Sequence, residues 1–327
     1  MNGREEVFHR NTMLAAETAV EPKDSHAGRV AHALTLNPLP LFVIGPCAAQ
    51  SHEQLEEIIT ETETRKLDHL TIAIRICHDK PRSHAITVDG KVAWEGIGLA
   101  QITPILRQIK KEHPETLIFA EIRDPDDLQV IGKFLDALWI GSREGFETIR
   151  LVTETAVKHH LPVFIKNGPL DGKIGIENMM QRLEQGIRAA AKIDNDGKIV
   201  KLETFVVPLL RGTPPQKPVD GVRNISNFEW IRELHKLCPG ILAGGDIGHL
   251  ALSKGVDDPT AFRITHAALE QALGLKLNLI MAEVTGSVPS KTDTGVPIHA
   301  FLDLLAHLTN QTGQVRKSML VTGKKLV

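Results

Sequence analysis

Residues 41–48 read LFVIGPCA: a run of apolar positions and one glycine with no charge in it, ending on a proline and a cysteine. Runs of the same kind recur at residues 70–77, 116–122, 137–143, 162–167, 204–211, 240–246 and 277–284. Continuous apolar segments of this length suit parallel strands covered on both faces. Longer amphipathic stretches separate them, so strand and helix alternate eight times. That count predicts a closed (β/α)8 TIM barrel rather than an open doubly wound sheet, and the chain has no glycine-rich dinucleotide fingerprint.

Local signals place the helix starts. Ser51 with Gln54 three residues on is a capping box, and Asp124 before Pro125 and Asp258 before Pro259 each put a cap ahead of a proline in the first helical turn. Two interruptions remain. Residues 85–88, then Asp89-Gly90, then residues 91–94 predict a β-hairpin inserted after the second strand, because Asp-Gly supplies a left-handed turn. Residues 194–197 predict a second turn.

The composition fits one barrel domain. A chain of 327 residues with 42% hydrophobic content can bury a large core. Residues 41–327 are the expected barrel, and residues 1–40, polar and weakly periodic, the expected N-terminal extension, a loosely attached arm. Thirty-eight Lys and Arg against 40 Asp and Glu give a net charge of -2, which argues against a nucleic-acid surface or a polybasic membrane patch. Three scattered cysteines and no early apolar run predict a reduced, cytoplasmic setting.

In a barrel of this kind the active site lies at the C-terminal ends of the strands. Those ends carry Cys47, Arg75, Glu121, Arg143, Lys166, Arg211, Asp246 with His249, and Glu283. Singly, each has a plain reading: a solvated or salt-bridged cation, a small buried cysteine, a structural histidine. Together they ask for a ligand, because charges at the ends of apolar strands are costly to desolvate alone. Arg75, Arg143, Lys166 and Arg211 are more cations than one carboxylate needs and suit a polyanion carrying phosphate and carboxylate. Cys47, His249 and Glu283, with Asp293 from a loop, form a mixed thiolate, imidazole and carboxylate set that suits a borderline divalent metal.

The segments Gly45-Pro46-Cys47, Arg75 with Lys80-Pro81-Arg82-Ser83, Trp94 with Gly96, Glu121, Gly141-Ser142-Arg143, Lys166-Asn167-Gly168, Leu210-Arg211-Gly212, Asp246 with His249, Glu283, and Thr292-Asp293 resemble, in order, the type I 3-deoxy-D-arabino-heptulosonate 7-phosphate (DAHP) synthase family. The resemblance implies an aldol-type condensation of phosphoenolpyruvate with an aldose phosphate, erythrose 4-phosphate in the named enzymes of the shikimate pathway. It makes Cys47, His249, Glu283 and Asp293 ligands of a divalent metal (Mn, Fe, Co or Zn). Arg75, Lys80, Ser142, Arg143, Lys166 and Arg211 become the phosphoenolpyruvate-binding set, and Arg82 and Ser83 hold the aldose phosphate. Glu121 helps to place the attacking water, and Lys80 protonates the new alkoxide, with His249 as a rival. Relatives of this kind assemble as homodimers or homotetramers. The motif surroundings differ from the family pattern, with Ala48-Ala49-Gln50 after Cys47 and Thr213-Pro214-Pro215 after Gly212. Two other readings therefore stay open: the same chemistry on another aldose phosphate, and a non-catalytic phosphate-binding barrel with a regulatory role. A metal-dependent aldolase without phosphoenolpyruvate would leave the number of strand-end cations unexplained.

Overall fold

The computed structural model describes residues 3–20, 25–65, 67–81, 94–168, 175–215, 217, 219, 221–248, 250, 251, 259–275, 277–287 and 296–322. Eight parallel strands form the core: β1 (Leu41–Gly45), β2 (Thr71–Ile76), β3 (Leu117–Glu121), β4 (Ala137–Ile140), β5 (Val163–Lys166), β6 (Val206–Arg211), β7 (Gly244–Asp246) and β8 (Leu279–Thr285). Each pairs with the next in chain order, and β1 also pairs with β8 from Leu41↔Leu279 to Gly45↔Glu283, which closes the barrel. Helices α1 (Gly3–Thr18) and α2 (His26–Thr35) precede β1. Helices α3 (His52–Thr64), α4 (Gly98–Glu112), α5 (Pro125–Ile131), α6 (Phe146–Lys158), α7 (Gly175–Ala189), α8 (Phe228–Leu237), α9 (Pro259–Gly274) and α10 (Ile298–Thr322) follow the strands in turn. The expected (β/α)8 architecture is the one observed.

The period of two along a strand sorts its side chains. Phe42 and Ile44, Ile74 and Ile76, Ile118 and Ala120, and Ile280 and Ala282 point outward into the layer shared with the helices. Leu41 and Val43, Ala73, Leu117 and Phe119, Trp139, Phe164, Val207 and Leu209, and Leu279 and Met281 fill the barrel interior. Continuing the inward series by two residues reaches Arg75, Glu121, Lys166, Arg211, Asp246 and Glu283. The alternation that packs the interior thus aims the charged strand ends at one axis.

The N-terminal helices belong to that interior, which corrects the expectation of a loosely attached arm. Ala15, Ala19, Val30, Ala31, Ala33 and Leu34 join the interior cluster and plug the barrel end opposite the charged rim. Buried Asn11 exchanges two hydrogen bonds with the backbone of Val206, at 2.6 and 2.8 Å, and the Leu34 carbonyl accepts from Asn278 at 2.9 Å. Arg29 reaches buried Asp136 at 2.8 Å, and Asp136 also accepts from Lys110 at 2.7 Å and from the Ile118 amide at 2.8 Å.

Local expectations largely hold. Ser51 accepts from the Gln54 amide at 3.2 Å while Gln54 reaches back to the Gln50 amide at 2.9 Å, and Asp124 caps α5 through Asp126. The turn at 194–197, with Gly197 at φ +76°, joins an antiparallel pair between Ala191–Ile193 and Ile199–Leu202. After β2, Lys80–Pro81 pairs antiparallel with Trp94–Glu95; the hairpin expected at 85–94 lies otherwise outside the described residues, as does Asp258. Several strands are shorter than their apolar runs. Strand β1 stops at Gly45 because Pro46 has no amide to donate, and the run at 240–246 begins in a turn, with Gly240 at φ +81°.

Candidate active site

The cation nearest the expected metal ligands is Lys80. Its Nζ lies 2.6 Å from Cys47 Sγ, 3.4 Å from the Cys47 carbonyl and 3.4 Å from Glu283 Oε1. The loop after β1 supplies the thiol, the short strand after β2 the ammonium, and β8 the carboxylate. Burial and Glu283 push the Cys47 thiol up to about 12, against Lys80 and Arg75. Burial works against the Lys80 ammonium, yet Cys47 and Glu283 outweigh it and push its pKa up. A thiol and a carboxylate that share one buried cation are a donor pair able to hold a divalent metal, so the described half of the expected ligand set fits such an ion. The other half, His249 and Asp293, lies outside the described residues, as do Arg82 and Ser83. Among the described residues, His52, Glu56 and Glu112 on α3 and α4 also bring ligand atoms within 4.8 Å of one another, and they share no member with the expected set.

Arg75 is fully buried, with its guanidinium 5.3 Å from the centre of the Trp139 ring. Nη1 makes an ion-pair contact with Glu283 at 3.3 Å, yet none of its three nitrogens makes a hydrogen bond among the described residues. A guanidinium so placed is a ready fork for a carboxylate or phosphate. Gly45 permits this packing: a Cβ there would stand 2.6 Å from the Arg75 carbonyl oxygen.

Lys166, at the end of β5, pairs with Asp246 on β7 at 2.7 Å and lies 5.5 Å from the Trp139 ring centre. Burial would raise the Asp246 carboxyl, but Lys166 and Arg75 outweigh it and hold it at about 2. Arg211 donates to Ser142 Oγ at 2.7 Å, and its amide donates to Asn167 Oδ1 at 2.7 Å. Strand β4 ends at Ile140, so Ser142 and Arg143 occupy the turn after it rather than the strand itself. Glu121 is buried opposite them, and Lys166, Lys80 and Arg75 hold its carboxyl below the usual range against the effect of burial.

Among the described residues, the cavity at these strand ends is lined by six cations, Lys80, Arg123, Arg143, Lys166, Arg211 and Arg223, against two carboxylates, Glu121 and Glu144. Arg123 is neutralised locally by Glu144 at 2.7 Å. Burial lowers the pKa of Arg211, and Arg223 and Arg143 lower it further while Asp246 opposes them, which marks a place where positive charges crowd. A polyanion relieves that repulsion. The expected residues Cys47, Arg75, Lys80, Glu121, Ser142, Arg143, Lys166, Arg211 and Glu283 are therefore brought to one end of the barrel.

Three contributors carry no motif in the sequence, and a fourth, Asp246, stands among the strand ends without an assigned role. Arg123 and Arg223 sit in loops with no motif around them, and Arg182 sits on α7, three and four residues from buried Met179 and Gly186. An arginine on an apolar helix stripe is the one signal that pointed to the last of these.

The chain matches the DAHP synthetase I family over residues 36–207, a stretch that holds Cys47, Arg75, Lys80, Glu121, Ser142, Arg143 and Lys166 and stops short of Arg211. Among solved structures it is similar to a phospho-2-dehydro-3-deoxyheptonate aldolase (DAHP synthase) from Thermotoga maritima, with a TM-score of 0.61 at 17% identity over 84% of this chain and 70% of that one. A truncated 3-deoxy-D-arabino-heptulosonate 7-phosphate synthase from the same organism gives a TM-score of 0.61 at 16% identity over 85% of this chain and 88% of that one. At such identities the likeness speaks for the fold. A comparison with curated proteins gives no match.

Proposed function

Because this chain belongs to the DAHP synthetase I family, whose members are transferases, we propose that it condenses phosphoenolpyruvate with erythrose 4-phosphate to give 3-deoxy-D-arabino-heptulosonate 7-phosphate and inorganic phosphate. Two observations carry this reading: the cation-rich cavity at the C-terminal strand ends, and buried Arg75, whose three nitrogens find no hydrogen bond among the described residues.

In this reading Arg75 and Lys80 take the carboxylate of phosphoenolpyruvate, and Arg143, Lys166 and Arg211, with Ser142, take its phosphate through charge-assisted hydrogen bonds. Cys47, His249, Glu283 and Asp293 would hold a divalent metal, Mn, Fe, Co or Zn, and the chemistry it would supply is Lewis acidity toward the aldehyde. The methylene carbon of phosphoenolpyruvate forms the new bond to the aldehyde carbon. Lys80, which lies against Cys47 and Glu283 and lines the cavity, donates the proton that the resulting alkoxide takes up, with His249 as the alternative donor. Glu121 orients the water that adds to the cationic carbon bearing the phosphate. That carbon then releases inorganic phosphate by carbon–oxygen cleavage, and the surrounding cations stabilise the departing charge. Arg82 and Ser83 hold the aldose phosphate, and the chain works as a homodimer or homotetramer.

The test is an incubation of purified protein with manganese, phosphoenolpyruvate and a panel of aldose phosphates, following loss of enol absorbance and release of phosphate. Consumption with erythrose 4-phosphate supports the proposal. Consumption with a different aldose alone redirects it to that substrate, and no consumption with any aldose sinks the synthase reading.

A further inference from the structure

We infer that Arg182 is a positioning residue for the phosphate subsite, acting through the backbone at two of the strand ends that carry it. This inference rests on the proposed function for the identity of the anion, while its geometry stands by itself.

Arg182 is 4% exposed, and each nitrogen of its guanidinium donates to a main-chain carbonyl: Nε to Lys166 O at 2.8 Å, Nη1 to Glu144 O at 2.6 Å and Nη2 to Gly141 O at 3.0 Å. Lys166 closes β5, whereas Gly141 and Glu144 bracket the turn after β4 that holds Ser142 and Arg143. One planar fork therefore fixes the distance between Lys166 and the turn bearing Arg143. The network continues from there, because Arg211 donates to Ser142 through its side chain and to Asn167 through its amide. Three consecutive strand ends are tied in this way, and each bears a cation of the phosphate subsite.

Helix α7 is built to deliver the fork. Gly186, one turn beyond Arg182, lets the helix lie close on the sheet: a Cβ there would come within 2.4 Å of Ile165 Cδ1 and 3.2 Å of Val206 Cγ1. Burial pulls the Arg182 pKa down to about 10, with Glu144 opposing it, so the group remains a cation at neutral pH. Burying a guanidinium against carbonyls alone is a poor way to gain stability, since its desolvation is repaid only by hydrogen bonds to neutral acceptors. A positive charge set directly behind the turn and strand that bind an anion has a use there: it orients their peptides and adds to the attractive potential.

The test replaces Arg182 by Met, Gln and Lys in the full chain and reads KM for each substrate, together with the dissociation constant for phosphoenolpyruvate by calorimetry. Neither quantity depends on the fraction of molecules folded, so a merely structural role would leave both unchanged while lowering yield or thermal midpoint. R182M and R182Q should raise KM and Kd for phosphoenolpyruvate about tenfold or more, as expected when groups that grip a substrate lose their alignment. KM for the aldose phosphate should move far less, and R182K, which keeps the charge and one carbonyl bond, should recover part of the loss. Parental phosphoenolpyruvate affinity in any folded variant lacking the guanidinium would overturn the inference. If the parent protein binds phosphoenolpyruvate without consuming it, the synthase reading fails and the calorimetric comparison still decides the role of Arg182.

Discussion

Lys80 Nζ stands 2.6 Å from Cys47 Sγ and 3.4 Å from Glu283 Oε1, so one ammonium bridges a thiol on the first strand loop and a carboxylate on the last strand. The contact joins the anion-binding and metal-binding halves of the proposed site, and the first prediction tests the latter half.

Replacing Cys47 by Ala should abolish metal-dependent turnover while leaving phosphoenolpyruvate binding in place, because the proposed function gives the thiol to the metal and the anion to Arg75, Arg143, Lys166 and Arg211. Stripping the parent protein with a chelator should have the same effect, reversed by added manganese. Turnover by C47A at the parental level would refute the assignment of this residue to the metal.

Arg75→Met should lower kcat/KM for phosphoenolpyruvate about a hundredfold or more, the scale of losing a buried charge-assisted contact of 3 kcal/mol or so. The variant also leaves Glu283 without its 3.3 Å neighbour. Arg75→Lys should rescue little, since a point charge cannot reproduce a planar fork packed over Trp139. Steady-state kinetics on the three proteins decide the matter.

Gly141→Ala should depress kcat with little loss of stability. A Cβ at this position would lie 2.6 Å from Glu121 Oε1, and the end of a glutamate side chain moves more easily than the backbone around it. The carboxylate proposed to place the water is what gives way. A thermal melt together with kcat separates this outcome from misfolding, and an unchanged kcat would count against a role for Glu121.

Acid should unlock the pair of Lys166 and Asp246. The folded-state pKa of Asp246 is depressed to about 2, below an ordinary aspartate, so the pair contributes stability above about pH 4 that is lost as the pH falls towards 2. Asp246→Asn should lower stability at neutral pH, partly because buried Lys166 loses its partner, and should remove that part of the acid dependence. Denaturant titrations of both proteins between neutral and acid pH check the sign as well as the size.

Asp136→Ala should destabilise the fold by about 3 kcal/mol, because it strands partly buried Arg29 and Lys110 and leaves the Ile118 amide without its acceptor. Activity per folded molecule should survive, since Asp136 lies at the barrel end away from the cavity. Chemical denaturation with activity normalised to the folded fraction is the measurement.

Much of this molecule could be read before it was seen, and for a physical reason. Buried parallel strands are continuous in hydrophobicity, and alternation by two carries the inward parity of Phe119 or Met281 on to Glu121 or Glu283. Where that regularity lapses, the sequence becomes opaque. The buried face of α1 carries Val7, Asn11 and Ala15, with Ala19 just beyond it; an asparagine and two alanines dilute it until it resembles a solvated helix, although Asn11 is buried and bonded to Val206. Arg182 is nearly silent for a related reason: it stands on an apolar helix stripe, but its partners are carbonyl oxygens that every residue possesses. Arg223 comes from a loop whose path brings it to the cavity without any local pattern. The expected roles of Arg82, Ser83, His249 and Asp293 fall outside the described residues.

The pairing of Gly45 with Glu283 has a consequence for assembly of the molecule. Strands β1 and β8 come from near opposite ends of the chain, and their junction is the seam along which the cylinder is finally sealed. The barrel cannot shut until nearly all of it has been synthesised, and the chemistry placed at Cys47, Lys80 and Glu283 spans that seam like a stitch. The centre is therefore complete only in the closed barrel, because its members come from both sides of the seam.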